Sequence, residues 1–172
     1  MIIFLPLNKI SSININLGFV QNRSTFHAVF KMLNFISTGL NENNYVAAIF
    51  LDISKAFDSV TPSILLAKLS HYGIRGVALS WFKSFLSNRK QKVKVNGVWS
   101  NTLQDIVLGV LQGSILGVLL FLIFINDLPS ELTSNFYKII FADDTSALAK
   151  NPSLTELVDF CNIEICKLGD WF

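Results

Sequence analysis

Phe136-Tyr137-Lys138-Ile139-Ile140-Phe141-Ala142-Asp143-Asp144-Thr145-Ser146-Ala147-Leu148-Ala149 sets two adjacent acids between two apolar, β-prone runs. Runs of this kind pair across a tight turn, which makes the acids the tip of a β-hairpin. Two carboxylates held about 4 to 6 Å apart repel one another, and a divalent cation between them relieves the repulsion. Two readings stand side by side at this point: a turn that points its acids into water, and half of a carboxylate metal site. A second stretch favours the metal site. Val46-Ala47-Ala48-Ile49-Phe50-Leu51-Asp52 is an uncharged strand pattern that ends on an acid and continues as Ile53-Ser54-Lys55-Ala56-Phe57-Asp58. An acid closing one buried strand and an acid pair at a hairpin tip form the layout of a metal site built from oxygen ligands.

The 172 residues suit one domain with a sizeable core, and too few remain for two ordinary domains. Hydrophobic residues make up 51% and charged residues 15%, and mean hydropathy is +0.48, so part of the surface is expected to be bare apolar or to lie in a membrane. The net charge of +2 does not by itself announce a nucleic-acid binder, but Arg89, Lys90, Lys92 and Lys94 cluster locally. Two cysteines, Cys161 and Cys166, exclude a disulfide framework or a cysteine zinc site and fit a reduced intracellular setting, nucleus or cytoplasm. Met1-Ile2-Ile3-Phe4-Leu5-Pro6-Leu7 lacks a basic start and a small-residue cleavage site, which argues against a signal peptide. The membrane candidate is the uncharged stretch 106–125, long enough to span a bilayer. Gly109, Gln112, Gly113, Ser114 and Gly117 crowd its first half, leaving Ile115 to Ile125 as a segment better suited to a buried core helix.

Around these stretches the pattern alternates helix and strand. Ser24 is placed to cap a helix carrying Ala28, Met32, Leu33 and Ile36 and ending at Gly39. Thr61-Pro62 opens a helix through Ile64, Leu65 and Leu69 to Gly73, and a further helix covers Val77 to Leu86. Asn96-Gly97 marks a hairpin between Gln91–Val95 and Val98–Ser100, with Lys92 and Lys94 on one face. Gly109 to Ser114 is a loop before the apolar helix, which closes at Asn126-Asp127-Leu128-Pro129. Ser153-Leu154-Thr155-Glu156 opens a last helix with the stripe Leu157, Val158, Cys161, Ile165 and Leu168, running to Trp171. The fold class expected is α+β.

Asp52-Ile53-Ser54-Lys55-Ala56-Phe57-Asp58, Gly109-Val110-Leu111-Gln112-Gly113-Ser114 with Ile115-Leu116-Gly117, and Phe141-Ala142-Asp143-Asp144 occur in the order of the three central motifs of one family. Asn22-Arg23-Ser24-Thr25, Tyr72-Gly73-Ile74, Trp81 to Arg89 and Ile125-Asn126-Asp127-Leu128-Pro129 fit the text between them. From Gly18 onward the chain resembles the reverse transcriptase domain of non-LTR retrotransposons, particularly the jockey-like mobile elements. The resemblance implies an RNA-directed DNA polymerase with a right-hand palm, an antiparallel sheet backed by helices: residues 18–45 a remnant of the fingers and 46–172 the palm.

It further implies Asp52, Asp143 and Asp144 as catalytic residues and ligands of two Mg2+ ions, with Mn2+ as a substitute, where Asp52 and Asp143 bridge and Asp144 supports. Phe57 is implied to sit under the incoming sugar, and Gln112 and Gly113 to meet the nucleotide, with dNTP, an RNA template and a DNA primer as partners. Lys92 and Lys94 are the candidates for the nucleic-acid backbone, against the alternative of a solvated charged face. Asp58 is expected to order the turn after Phe57, and His27 and His71 to be structural. Leu111 and Val118 stand where the family usually has proline, so the loop presenting Gln112 is expected to be loosened, and Val20 replaces a usual arginine. With most of the fingers and the thumb absent, the isolated chain is expected to extend primers poorly. The alternatives are a non-catalytic membrane or scaffold protein with a span at 106–125, and an inactive relic of a mobile element.

Overall fold

Residues 16–19, 21–128 and 136–169 are described by the computed structural model. Met1–Leu7, Val20, Pro129 and Trp171-Phe172, which bear on expectations above, lie outside them. The described residues form two compact units: one from 16–53 and 125–169, the other from Ser54 to Phe124.

The first unit is a three-stranded antiparallel sheet carrying two long helices. Its order is β1 (Tyr45–Leu51), β7 (Asp144–Asn151), β6 (Tyr137–Phe141), so β7 is central and β1 is an edge. β1 is therefore half-buried rather than the fully buried strand expected, with Phe50 66% exposed. The register pairs Leu51 with Thr145 and Phe141 with Asp144, which leaves Ala142 and Asp143 as the two central residues of the hairpin turn.

Helix α1 (Thr25–Asn41) packs Ala28, Met32, Phe35 and Ile36 on Leu17, Ile139 and Leu148. Phe35 takes the place expected of Leu33, which is exposed. Gly39 does not end the helix. It is buried inside it, because a Cβ there would lie 2.6 Å from Val46 Cγ2, and the chain leaves the helix two residues later. Ser24 occupies the N-cap position, but its hydroxyl meets His27 Nδ1 at 2.9 Å instead of a backbone N–H, which gives His27 a structural partner. Helix α6 (Leu154–Gly169) packs on β7 and β1 and buries Leu157, Cys161 and Glu164, one residue per turn, while Val158 and Ile165 of the expected stripe stay exposed. The Ser153 cap forms, its Oγ accepting from Glu156 N at 3.4 Å.

The second unit holds a short turn of helix, α2 (Ala56–Ser59), then α3 (Pro62–His71) and α4 (Gly76–Leu86), two small ribbons and α5 (Ile115–Ile125). Pro62 opens α3 as expected. Asn96 and Gly97, with φ of 48° and 84°, turn β3 (Lys94–Val95) into β4 (Val98–Trp99). The expected longer strand from Gln91 is split, because β2 (Arg89–Gln91) pairs instead with β5 (Gln104–Ile106). The uncharged stretch 106–125 is likewise divided among a strand end, a loop and the 11-residue α5, only about 16 Å long. No helix among the described residues is long and apolar enough to cross a membrane, which removes the support for the membrane-span alternative.

Candidate active site

The acidic end of the sheet follows from the strand register. Leu51, the last residue of β1, pairs with Thr145, so Asp52 follows the paired end of β1, Asp144 precedes Thr145 on β7, and Asp143 sits in the turn itself. Asp52 and Asp144 are exposed and Asp143 is half-buried. Phe50, Leu51, Asp52, Asp144, Thr145 and Ser146 line one open cavity of about 320 Å³.

Among the described residues, no group of three or more His, Cys, Asp or Glu side chains stands close enough to hold a metal ion, so the trio is not a closed ligand set. Two features suit a hard cation all the same. The donors at this end are oxygens only, and the Thr145 hydroxyl, 2% exposed and on the same cavity, has no hydrogen-bond partner.

The turn is backbone-strained. Ala142 has φ 58°, left-handed, a conformation that costs a non-glycine residue on the order of 1 kcal/mol. Its backbone is held by Asn16, whose side chain receives the Ala142 N–H and donates to the Ala142 carbonyl, each at 3.0 Å. Asn16 escaped the sequence reading. The signal that could have found it is the alternation Ile13-Asn14-Ile15-Asn16-Leu17, a strand pattern running into Gly18.

In the second unit the loop 109–114 is tied to the turn after Phe57. Gly109 N donates to Val60 O at 2.7 Å and Val110 N to Phe57 O at 2.8 Å. Gly109 has φ 84°, and a Cβ there would lie 2.8 Å from Asp58 Cα, so both conformation and space require glycine. Arg89 donates to the carbonyls of Leu108 at 2.9 Å and Gly109 at 2.6 Å. Gln112 Nε2 donates to Asp58 Oδ1 at 3.0 Å, so Asp58 holds the glutamine as well as following Phe57 in its turn.

Where proline was expected at 111, other contacts hold the turn. The Ser114 hydroxyl donates to Leu111 O and accepts from Gly117 N, both at 2.9 Å, and a Cβ on Gly117 would lie 2.0 Å from Leu111 O. Gly113 has φ 79° and open space around it. Phe57 is half-buried and stacks on Phe121 with ring centroids 4.5 Å apart. Of the basic cluster, Lys94 Nζ lies 5.2 Å from the Trp99 ring, Lys90 pairs with Asp105 at 3.5 Å, Arg89 is engaged as above, and Lys92 lies in the link between β2 and β3.

Comparison with known proteins agrees with the motif order. The family model "Reverse transcriptase (RNA-dependent DNA polymerase)" matches residues 9–163. The RNA-directed DNA polymerase from mobile element jockey of Drosophila melanogaster is 32% identical over 143 residues, covering 80% of this chain and 15% of its own length. Its counterpart in Drosophila funebris is 29% identical over 160 residues, covering 90% of this chain and 17% of its own length. The chain thus spans about one-sixth of these relatives. Among solved structures, a partial Cas6-RT-Cas1–Cas2 complex aligns over 81% of this chain and 22% of its own, with 23% identity and a TM-score of 0.38.

Proposed function

This chain belongs to the reverse transcriptase family, and from that premise we propose that it is the palm, residues 46–172, with a fingers remnant at 18–45, of an RNA-directed DNA polymerase from a jockey-like mobile element. Reverse transcriptases generally use divalent metal ions. Here Asp52, Asp143 and Asp144 would hold two Mg2+ ions, with Mn2+ able to replace them. Bound there, the ions supply Lewis-acid activation of the primer 3′-hydroxyl and neutralise charge on the dNTP phosphates. The chain's own residues do the rest. Asp52 and Asp143 would be the shared ligands and Asp144 the supporting one, Phe57 would bear on the incoming sugar, and Gln112 with Gly113 would meet the nucleotide.

Lys92 and Lys94 face the backbone of the RNA template or DNA primer, and the remaining fingers and thumb come from a longer polyprotein. The setting is intracellular, in keeping with two free cysteines; burial raises the Cys161 thiol above its ordinary value and keeps it inert.

The observation that carries the reading is the register at one end of the sheet: β1 runs out just before Asp52, beside a hairpin whose tip carries Asp143 and Asp144, with only oxygen donors around. The test is RNA-templated primer extension by a jockey-type polymerase in which this chain replaces the matching segment. Asp143→Asn is expected to lower extension by about 100-fold or more, the loss of several kcal/mol of charge stabilisation. Equal extension by the variant would remove Asp143 from the chemistry.

A further inference from the structure

We propose that Asn16 is a positioning residue for the acidic turn: its side chain clamps the backbone of Ala142 and thereby sets the direction in which Asp143 and Asp144 are presented to a divalent cation. The inference rests on the reading of that turn as a metal site.

Asn16 is 6% exposed, and both ends of its carboxamide are used. Nδ2 donates to Ala142 O at 3.0 Å, and Oδ1 accepts from Ala142 N at 3.0 Å and from Gly18 N at 2.8 Å. One planar group thus pairs with both polar atoms of one residue, as a neighbouring strand would, across 126 positions of sequence. The main chain continues the same contact, since Asn16 forms a parallel bridge with Ile140 and Leu17 N donates to Ile140 O at 2.7 Å. Gly18 completes it: a Cβ there would lie 2.2 Å from Ala142 N, so only glycine lets the segment lie flush on the turn.

The clamp matters because of what it holds. Ala142 is left-handed without being glycine, and such a conformation persists where surrounding contacts over-determine it. Asp143 is the next residue, so the angle at which its carboxylate leaves the turn is inherited from Ala142. Asparagine is the side chain the geometry needs. A carboxylate cannot donate to the Ala142 carbonyl, and a serine hydroxyl, one atom, cannot serve three backbone groups from one position.

The experiment uses the full chain. Amide exchange is followed by NMR with and without saturating Mg2+, and Mn2+ affinity is read by electron paramagnetic resonance for wild type, Asn16→Ala and Asp143→Asn. In the wild type, the Asn16 carboxamide and the Ala142 amide are expected to exchange at least about tenfold more slowly than the exposed Asn41 side chain, and Mg2+ should slow both further, since coupling is reciprocal. Asn16→Ala should weaken Mn2+ binding by about tenfold while the Leu148 and Ala149 amides stay protected, the size of effect typical of a residue that orients metal ligands.

Mn2+ binding by Asn16→Ala equal to wild type would overturn the proposal. So would a Mg2+-insensitive Ala142 amide in a wild type that binds the ion. Should Asn16→Ala fail to fold, the wild-type Mg2+ arm decides alone. If instead wild type and Asp143→Asn bind Mn2+ alike, the metal reading itself falls and takes this inference with it, a pattern distinct from an Asn16 effect that is merely missing.

Discussion

The acid-bearing turn and the glutamine-bearing loop are both short, both contain left-handed residues, and are held in opposite ways. In the turn, the polar atoms of Ala142 are held by one distant side chain, Asn16, beside the Phe141–Asp144 ladder pair and the Leu17 N–H bond to Ile140 O. The loop 109–114 is tied at many points: to Val60 and Phe57 through its backbone, to Arg89 through the Gly109 carbonyl, to Asp58 through Gln112, and to the start of α5 through Ser114 and Gly117. One substitution at Asn16 removes both side-chain bonds to Ala142 at once, whereas the loop loses its ties one at a time.

The largest effects sharpen this contrast at the glycines. Gly18→Ala drives a Cβ into the Ala142 backbone, and should cost about 1 to 3 kcal/mol in urea denaturation together with most of the Mn2+ affinity. Gly109→Ala meets the Asp58 backbone at 2.8 Å and a φ of 84°, and should cost a similar amount of stability while leaving Mn2+ affinity within about twofold of wild type. Equal loss of Mn2+ binding in both variants would erase the distinction between the two regions.

Phe57→Ala comes next. Removing one ring of the Phe57–Phe121 stack should cost about 2 to 3 kcal/mol, less than a fully buried phenylalanine because Phe57 is half-buried. In the chimaeric polymerase it should also admit ribonucleotides; unchanged sugar discrimination would return Phe57 to the core alone.

Smaller still is Asp58→Ala, which removes one charge-assisted bond to Gln112 in an exposed setting. It should raise KM for dNTP by about threefold with kcat little changed, and adding Gln112→Ala should cost less than the sum of the two, because they share the bond. Full additivity would mean that the two side chains act separately.

The weakest effect is a pH slope. Burial holds Lys138 below its ordinary value of 10.5, partly opposed by Glu164. The folded state therefore favours the neutral amine, so stability should rise as pH climbs from the lowered value toward 10.5 and be flat below that window. Lys138→Met should abolish the rise in urea midpoint as pH climbs toward 10.5.

The hairpin, the helices and the Asn96-Gly97 turn were legible because each is written in adjacent residues: alternating apolar strands, a Pro62 at a helix start, a turn dipeptide. What was not legible depended on residues far apart. That β2 pairs with β5 rather than extending into the next ribbon is decided between positions 89–91 and 104–106. Gly39 reads as a helix end by local propensity, but it is kept by the approach of Val46. In α6 a glutamate occupies the buried stripe, which no hydrophobic pattern would place there. The three acids drew notice in the sequence because acids at strand ends stand out against an apolar chain. Asn16 did not, because an asparagine near a glycine looks like any loop until the turn it holds is seen.

Everything rests on the claim that Asp52 and Asp143 serve one shared ion site. A calorimetric titration of Mn2+ into wild type, Asp52→Asn, Asp143→Asn and the double variant tests it most directly. Each single change should weaken binding by about tenfold or more, and the double variant should be little worse than either, the non-additivity of ligands that serve one site. Two independent, additive losses, or Mn2+ binding that neither substitution alters, would contradict it.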